Sequence, residues 1–405
     1  MKMNLKRMIA LILCVVICGA LFSSCGAADS DSTTIRIGGI GPLTGSNAQY
    51  GNAVKNAAEL AVKEINEAGG INGVKLSFNM QDDESDTEKA VNAYNALKDW
   101  GMQISLGCVT TDPCKAIVPS TAEDNIFLLT PSASSEDILK DNDNCFQVCF
   151  TDPNQGTASA QYIAEHKLAQ KIAVIYDNSN SYSTGIFNNF AKEAEAQGLE
   201  IVASEAFTAD KKTDFSVQVS KAKSSGADLL FLPIYYTEAS LILKECDAQG
   251  YTPTVFGCDG LDGLLSVENF DTSLAEGVIL LTPFAADATD EATQKFVKAY
   301  KDAYDGETPN QFAADAYDAI YAIKAALEQS GRTVGTTAAD STGENDADLI
   351  NGSTSASDIC EAMKTGITKI QFDGVTGEGM TWDKNGAVSK EPKAMKIVDG
   401  AYTAM

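Results

Sequence analysis

Histidine is nearly absent from this chain: His166 is the only one in 405 residues. With one imidazole and no Cys-x₂-Cys pair, the usual structural zinc ligand sets cannot be assembled. The same shortage, together with the lack of a G-x-S-x-G elbow, leaves a hydrolase triad without its parts. Basic residues are also scarce, 30 against 56 acidic, for a net charge of −26. A surface of that sign repels nucleic-acid phosphates and anionic lipid, and favours solubility. Long apolar runs are missing beyond Met8–Leu21, which is itself short for a bilayer span. Finally, Gly39-x-Gly41-x-x-Thr44 lacks the last glycine of a dinucleotide fingerprint, and Pro42 stiffens the turn. A nicotinamide-type oxidoreductase is thereby disfavoured. No cofactor or metal is implied.

The short apolar run has a role of its own. Lys2, Lys6 and Arg7 precede it and Ser23-Ser24-Cys25-Gly26 follows it, so residues 1–24 read as an export leader. Small residues just before a Cys resemble the bacterial lipoprotein signal, in which Cys25 becomes the acylated N-terminus and residues 25–33 a polar tether. Phe22 departs from the usual Leu of that signal, and an ordinary secretory leader is the alternative. The expected location is outside the cytoplasm, on the bacterial membrane. Without the leader, 27 basic residues face 56 acidic ones, a net charge of −29.

Seven thiols then remain: Cys108, Cys114, Cys145, Cys149, Cys246, Cys258 and Cys360. An odd number leaves at least one free or paired between chains. Cys145 and Cys149, four apart in a strand-like run, stand roughly 13 Å from each other and read as core thiols. Cys108–Cys114 and Cys246–Cys258 remain open as pairs.

The folded part opens on Ile35–Gly51, IRIGGIGPLTGSNAQYG. Ile35, Ile37 and Ile40 predict a buried strand, Gly41-Pro42 breaks it, and Leu43–Ser46 turns the chain. Helical spacing then takes over at Val54, Ala57, Ala61 and Ile65, and Gly69-Gly70 stops it with Ile71 folding back. Strands at Lys75–Gln81, Ile104–Leu106 and Phe127–Leu129 continue the alternation, with a capping box expected at Ser85-x-x-Glu88. Hydroxyl-rich loops follow the latter two strands at Gly107–Pro113 and Thr130–Ser135. Successive βα units of this kind predict a parallel sheet with polar loops at its C-terminal edge. After Thr151-Asp152-Pro153 the pattern restarts, with strands at Lys171–Tyr176, Leu199–Phe207, Ala227–Leu232, Thr254–Gly257 and Gly277–Leu281 separated by helices. At this length two lobes are expected. Two long helices follow Thr282-Pro283, and Ser330–Ser357 reads as a polar surface insertion. β-like segments around Thr381–Trp382 and Ala394–Val398 close the chain.

The opening motif, the Gly69-Gly70-Ile71-Asn72-Gly73 turn, LGCVTTDP, LLTPSAS, KIAVIYDNSNSYSTG, GADLLFLPIYY and VFGCDG stand in an order that resembles one family. It is the type I periplasmic amino-acid-binding proteins of ABC importers, the leucine/isoleucine/valine-binding group, and the resemblance spans nearly all of Ile35–Met405. It implies an α/β protein of two Rossmann-like lobes joined by three hinge crossovers. Residues 34–151 plus 283–390 would form lobe 1, and 152–282 plus 391–405 lobe 2. It implies a monomer that captures an amino acid, branched-chain or otherwise hydrophobic, and delivers it to an ABC permease. It is not an enzyme. Carried over position by position, the resemblance makes Tyr50 a cleft tyrosine and Thr111 a hydroxyl for the ligand carboxylate. Ser132 supplies a backbone carbonyl to the ammonium, and Ser134 an N–H and a hydroxyl. Tyr182 and Tyr235, or Tyr236, cover the ligand, Asp259 is the acidic partner of the ammonium, and Phe312 walls the side-chain pocket.

The residue chemistry agrees with that assignment. Hydroxyls and amides near helix N-termini suit a carboxylate, and an aspartate suits an ammonium. The same residues also have plainer uses: Thr111 and Ser134 as helix caps, Asp259 as a turn residue beside Gly260, Tyr50 as a half-exposed aromatic, Tyr182 and Phe312 as core. Asp259 stands where well-known branched-chain binders carry Glu, and Thr110–Asp112 is more polar than in many relatives. No Cys lies in the Asp82–Glu88 loop, so the disulfide some relatives carry there is absent. An amide, urea or aromatic acid as ligand, and a sensory role without transport, are the competing expectations.

Overall fold

A computed structural model describes residues 32–336 and 348–405. The leader and Cys25, with most of the tether and residues 337–347 of the 330–357 insertion, lie outside the described residues. No helix among the described residues is long and apolar enough to cross a membrane.

Strands β1 (Thr34–Gly41), β2 (Lys75–Asp82), β3 (Ile104–Cys108), β4 (Phe127–Thr130) and β5 (Cys145–Gln147) form one parallel sheet in the order β2-β1-β3-β4-β5. A second sheet holds β6 (Lys171–Asp177), β7 (Glu200–Phe207), β8 (Leu229–Leu232), β9 (Thr254–Gly257) and β10 (Ile279–Thr282), all parallel. The pair β11 (Thr333–Val334) and β12 (Leu349–Ile350) stands apart, with Val334 and Ile350 buried in the core. Strand β13 (Lys393–Val398) then pairs antiparallel with β10, and β14 (Ala401–Ala404) antiparallel with β13, completing the order β14-β13-β10-β9-β8-β6-β7.

Ten α-helices among the described residues pack on the two sheets: α1 (Ala48–Glu67), α2 (Thr87–Trp100), α3 (Thr111–Glu123), α4 (Asp152–Glu165), α5 (Ser181–Gln197), α6 (Ser216–Ser224), α7 (Tyr236–Ala248), α8 (Glu291–Ala303), α9 (Gln311–Glu328) and α10 (Ala356–Ile367). Helix α9 lies along α1 and α10, so the chain returns to the first sheet after β10 and leaves it again for β13. The connections therefore pass between lobes three times.

Strand β1 is buried on both faces: Ile35 and Ile37 belong to one core cluster and Ile40 to another. A central parallel strand reads this way because helices cover both sides. Its helix must come close, and Gly51 permits it, since a Cβ there would sit 2.0 Å from the Pro42 carbonyl oxygen. At the far end Gly70, at φ +76°, donates its N–H to Ile65, and Ile71 turns into the core.

Three local expectations need correction. Helix α2 is capped by Asp86, whose carboxylate accepts the Lys89 N–H, and not by a Ser85–Glu88 box. Ser85 is left-handed at φ +59°, a conformation that belongs outside an N-cap. The seven cysteines are all free and buried, so neither Cys108–Cys114 nor Cys246–Cys258 is bridged. The tail segment Thr381–Trp382 makes only an isolated bridge, Trp382 with Val388, while its indole donates to the Gln147 carbonyl at 2.7 Å and covers the β5 edge.

Candidate functional site

The C-terminal ends of both sheets face one small enclosed cavity. From the first lobe come Tyr50 on α1, Val109, Thr110 and Thr111 after β3, Ser132 after β4, and Phe312 in the first turn of α9. From the second come Tyr182 on α5, Tyr235 before α7, and Asp259-Gly260 after β9. Of the eight residues singled out from sequence, only Ser134 stays off this wall. Its hydroxyl donates to Asp152 at 2.6 Å and its carbonyl accepts the Asp152 N–H, so it sits one layer behind.

Thr111 is the first residue of α3, where first-turn amides have no intrahelical partner. Thr110 precedes it as the cap but makes no side-chain capping bond. Ser132 is tied back by its hydroxyl to the Val109 carbonyl at 2.7 Å. The β4 hydroxyl Thr130 holds the same loop from behind through the Ala133 N–H.

Asp259 is almost wholly buried. Tyr182 donates to its Oδ1 at 2.6 Å, its N–H donates to Gln155, and its carbonyl accepts the Gln311 side-chain amide at 2.7 Å. Burial pushes the carboxyl up to about 7, against the Tyr182 hydrogen bond, and the nearby Asp315 adds to the rise. Burial likewise raises Tyr50, Tyr182 and Tyr235 far above an ordinary phenol, so all three remain neutral donors. Gly260 must be glycine: a Cβ would lie 2.6 Å from both the Ile234 carbonyl and the Tyr182 hydroxyl.

The two lobes touch through the same residues. The Tyr50 hydroxyl donates to the Gly260 carbonyl at 2.5 Å and accepts the Tyr236 N–H at 3.3 Å. Its ring stacks on Phe312 at 4.1 Å between centroids and meets Tyr236 edge-on at 4.8 Å. Gln311 crosses by donating its N–H to Asp262 at 2.8 Å. With the rings packed this way the enclosed space is about 10 Å³, room for about one water. A ligand larger than that enters only when the lobes part or the rings turn.

Tyr235 and Tyr236 both reach Tyr50, because β8 stops at Leu232 and the two tyrosines sit at a helix start instead of alternating across a strand. Gly260, Gln155, Gln311 and Asp152 were not singled out from sequence. A glycine after an aspartate signals a turn, and nothing local tells that Gln311 will reach across from α9.

A profile of the periplasmic binding protein family matches residues 34–401, and the chain belongs to that family. It is a family of extracytoplasmic binding proteins rather than enzymes. Among individual relatives, the chain is 31% identical over 316 residues to a Leu/Ile/Val-binding protein homolog of Brucella melitensis, covering 78% of this chain and 84% of that one. It is 28% identical over 332 residues to the leucine-, isoleucine-, valine-, threonine- and alanine-binding protein of Pseudomonas aeruginosa, covering 82% and 86%. A solved structure of similar shape is the branched-chain amino acid transporter substrate-binding protein LivJ of Streptococcus pneumoniae in complex with isoleucine. Its TM-score is 0.79 at 28% identity, over 92% of this chain and 98% of that one. The fold is thus an α/β fold with two parallel-sheet lobes of the periplasmic binding type.

Proposed function

We propose that this protein captures a zwitterionic α-amino acid, branched-chain or otherwise hydrophobic, by lobe closure and delivers it to an ABC permease. The observation that carries this is the opposition across one cavity of Asp259 from the second lobe and the α3 N-terminus at Thr111 from the first. A helix N-terminus favours the ligand carboxylate, and a buried aspartate favours its ammonium. Only the closed form satisfies both ends, and that difference in affinity drives closure. Phe312 and Tyr50 form the apolar wall for the side chain, with Tyr182 and Tyr235 as cover. Ser132 offers its carbonyl to the ammonium, and Ser134 acts from behind through Asp152. The names of the Brucella and Pseudomonas relatives and the isoleucine bound to the Streptococcus protein favour branched-chain ligands.

In this reading residues 34–151 with 283–390 move against 152–282 with 391–405, as a monomer held to the membrane by lipid on Cys25. The hinges lie near Thr151–Pro153, Thr282–Pro283 and Ser389–Pro392. A thermal-shift screen followed by calorimetry with the twenty amino acids tests it. Saturable binding of leucine, isoleucine or valine is the expected result. Binding of amides, urea or aromatic acids with no response to any amino acid overturns it.

A further inference from the structure

Asp259 lies on no long helix or strand that would fix its position. It opens a one-turn 3₁₀ segment, Asp259–Leu261, just after β9, and side chains from elsewhere hold its peptide. Two of them belong to its own lobe. Gln155 of α4 accepts the Asp259 N–H at 3.2 Å. The Tyr182 hydroxyl of α5 donates to Asp259 Oδ1 at 2.6 Å and accepts the Gly260 N–H at 2.9 Å. These partners move with the turn when the lobes move.

Gln311 grips the same turn from the opposite lobe. It is the first residue of α9, an 18-residue helix lying along α1, and it is 1% exposed. A backbone N–H at that position has no intrahelical partner, and this one donates to Asp262 Oδ2 at 2.8 Å. The side-chain Nε2 donates to the Asp259 carbonyl at 2.7 Å. One residue thus holds both ends of the turn. Only the Nε2 end of an amide can donate to a carbonyl, so chemistry fixes the orientation of the side chain. That leaves Gln311 Oε1 buried with no partner among the described residues. An unpaired buried acceptor is costly, and an apolar side chain of similar length would avoid it. The bond to the Asp259 carbonyl is what the amide gains against that cost.

We propose that Gln311 is a positioning residue for amino-acid binding. On closure it sets the Asp259 peptide, and with it the carboxylate, against the ligand ammonium. The proposal rests on the amino-acid reading above. A charge-assisted hydrogen bond depends steeply on distance and angle, so an aspartate on a short turn serves it only with its backbone held. The next residue, Phe312, lines the cavity, so the first turn of α9 brings the apolar wall and the grip on Asp259 together.

Calorimetry with leucine tests this on wild type, Gln311→Met, Asp259→Asn and the Gln311→Met/Asp259→Asn pair. Methionine keeps the length of the side chain and the backbone bond to Asp262, and removes the amide. Asparagine at 259 keeps an acceptor for Tyr182 and removes the charge. Gln311→Met alone is expected to weaken leucine binding about tenfold, and by less than about twofold in the Asp259→Asn background, where the positioned group no longer carries charge. Equal dissociation constants for wild type and Gln311→Met overturn the proposal. So does an equal loss in both backgrounds, which is what a merely structural glutamine would give. Gln311→Asn, whose amide falls one methylene short of the carbonyl, replaces the methionine variant should that fail to fold, with the same outcomes expected. Absence of leucine binding by wild type removes the proposed function and this inference together. Leucine binding with either overturning result removes this inference alone.

Discussion

Near neutral pH the Asp259 carboxyl is divided between acid and anion, because burial holds it at about 7. A ligand ammonium beside it would favour the anion and lower that value. Amino-acid binding between about pH 5 and 7 should therefore release a proton, up to roughly one per ligand. Calorimetry in buffers of different ionisation enthalpy reads this directly; identical heats would rule out Asp259 as the ammonium partner. Asp259→Ala should weaken amino-acid binding by at least ~2 kcal/mol, since it leaves a desolvated ammonium unpaired. An unchanged dissociation constant would remove Asp259 from the site. Tyr50 acts differently, on the lobes. Tyr50→Phe keeps the ring stack on Phe312 but loses both cross-lobe hydrogen bonds, about 0.5–1.5 kcal/mol each. Without ligand, small-angle scattering should show a larger radius of gyration for this variant than for wild type; superimposable curves would show that the Tyr50 hydroxyl does not hold the lobes together.

Among the elements, α9 links the site to the chain's return to the second sheet. Its first turn carries Phe312 and Gln311 into the cleft, and its next turns carry Asp315 and Asp318 toward the tail. Asp318 accepts the Val375 and Thr376 N–H groups and the Thr376 hydroxyl, which pins the tail segment to the helix. Asp315 is paired with Lys390 at 2.7 Å, both nearly fully buried, just before β13 departs. Lys390→Met should cost about 3–5 kcal/mol, because it strands the Asp315 charge in the interior. A denaturant midpoint equal to wild type would show that the pair holds nothing. Lys390 was legible only as part of a vague third hinge, since its partner is 75 residues away. By contrast β1, α1 and the Gly69-Gly70 stop were legible in full: periodicity and glycine conformation are local properties.

For the whole molecule, several buried carboxyls are raised: Asp83, Asp259 and Asp262 to about 7, and Asp315 to about 6, each chiefly by burial. Unfolded, such groups titrate near about 3.9. Between those values the folded chain holds protons that the unfolded chain has lost, so stability falls as pH rises from about 4 through 7 and then levels. The melting temperature without ligand should be higher at pH 5 than at pH 8, with Asp262→Asn flattening the difference. A melting temperature constant across that range would contradict the assignment. The acidic surface acts in the same direction, since acid relieves its self-repulsion.

By itself the sequence determined the alternating α/β pattern, the export leader as an expectation, and seven of the ten residues that line the inner cavity. The pattern follows from short-range periodicity and turn chemistry, and the site residues from the resemblance of the ordered motifs to a known family, both of which survive without a structure. Tertiary structure alone decided the rest. It turned Ser134 toward Asp152, brought Tyr235 and Tyr236 together on Tyr50, and set Gln311 against Asp259. Each of these joins residues far apart in the chain, through burial and lobe contact, and no local propensity encodes which distant partner a side chain will meet.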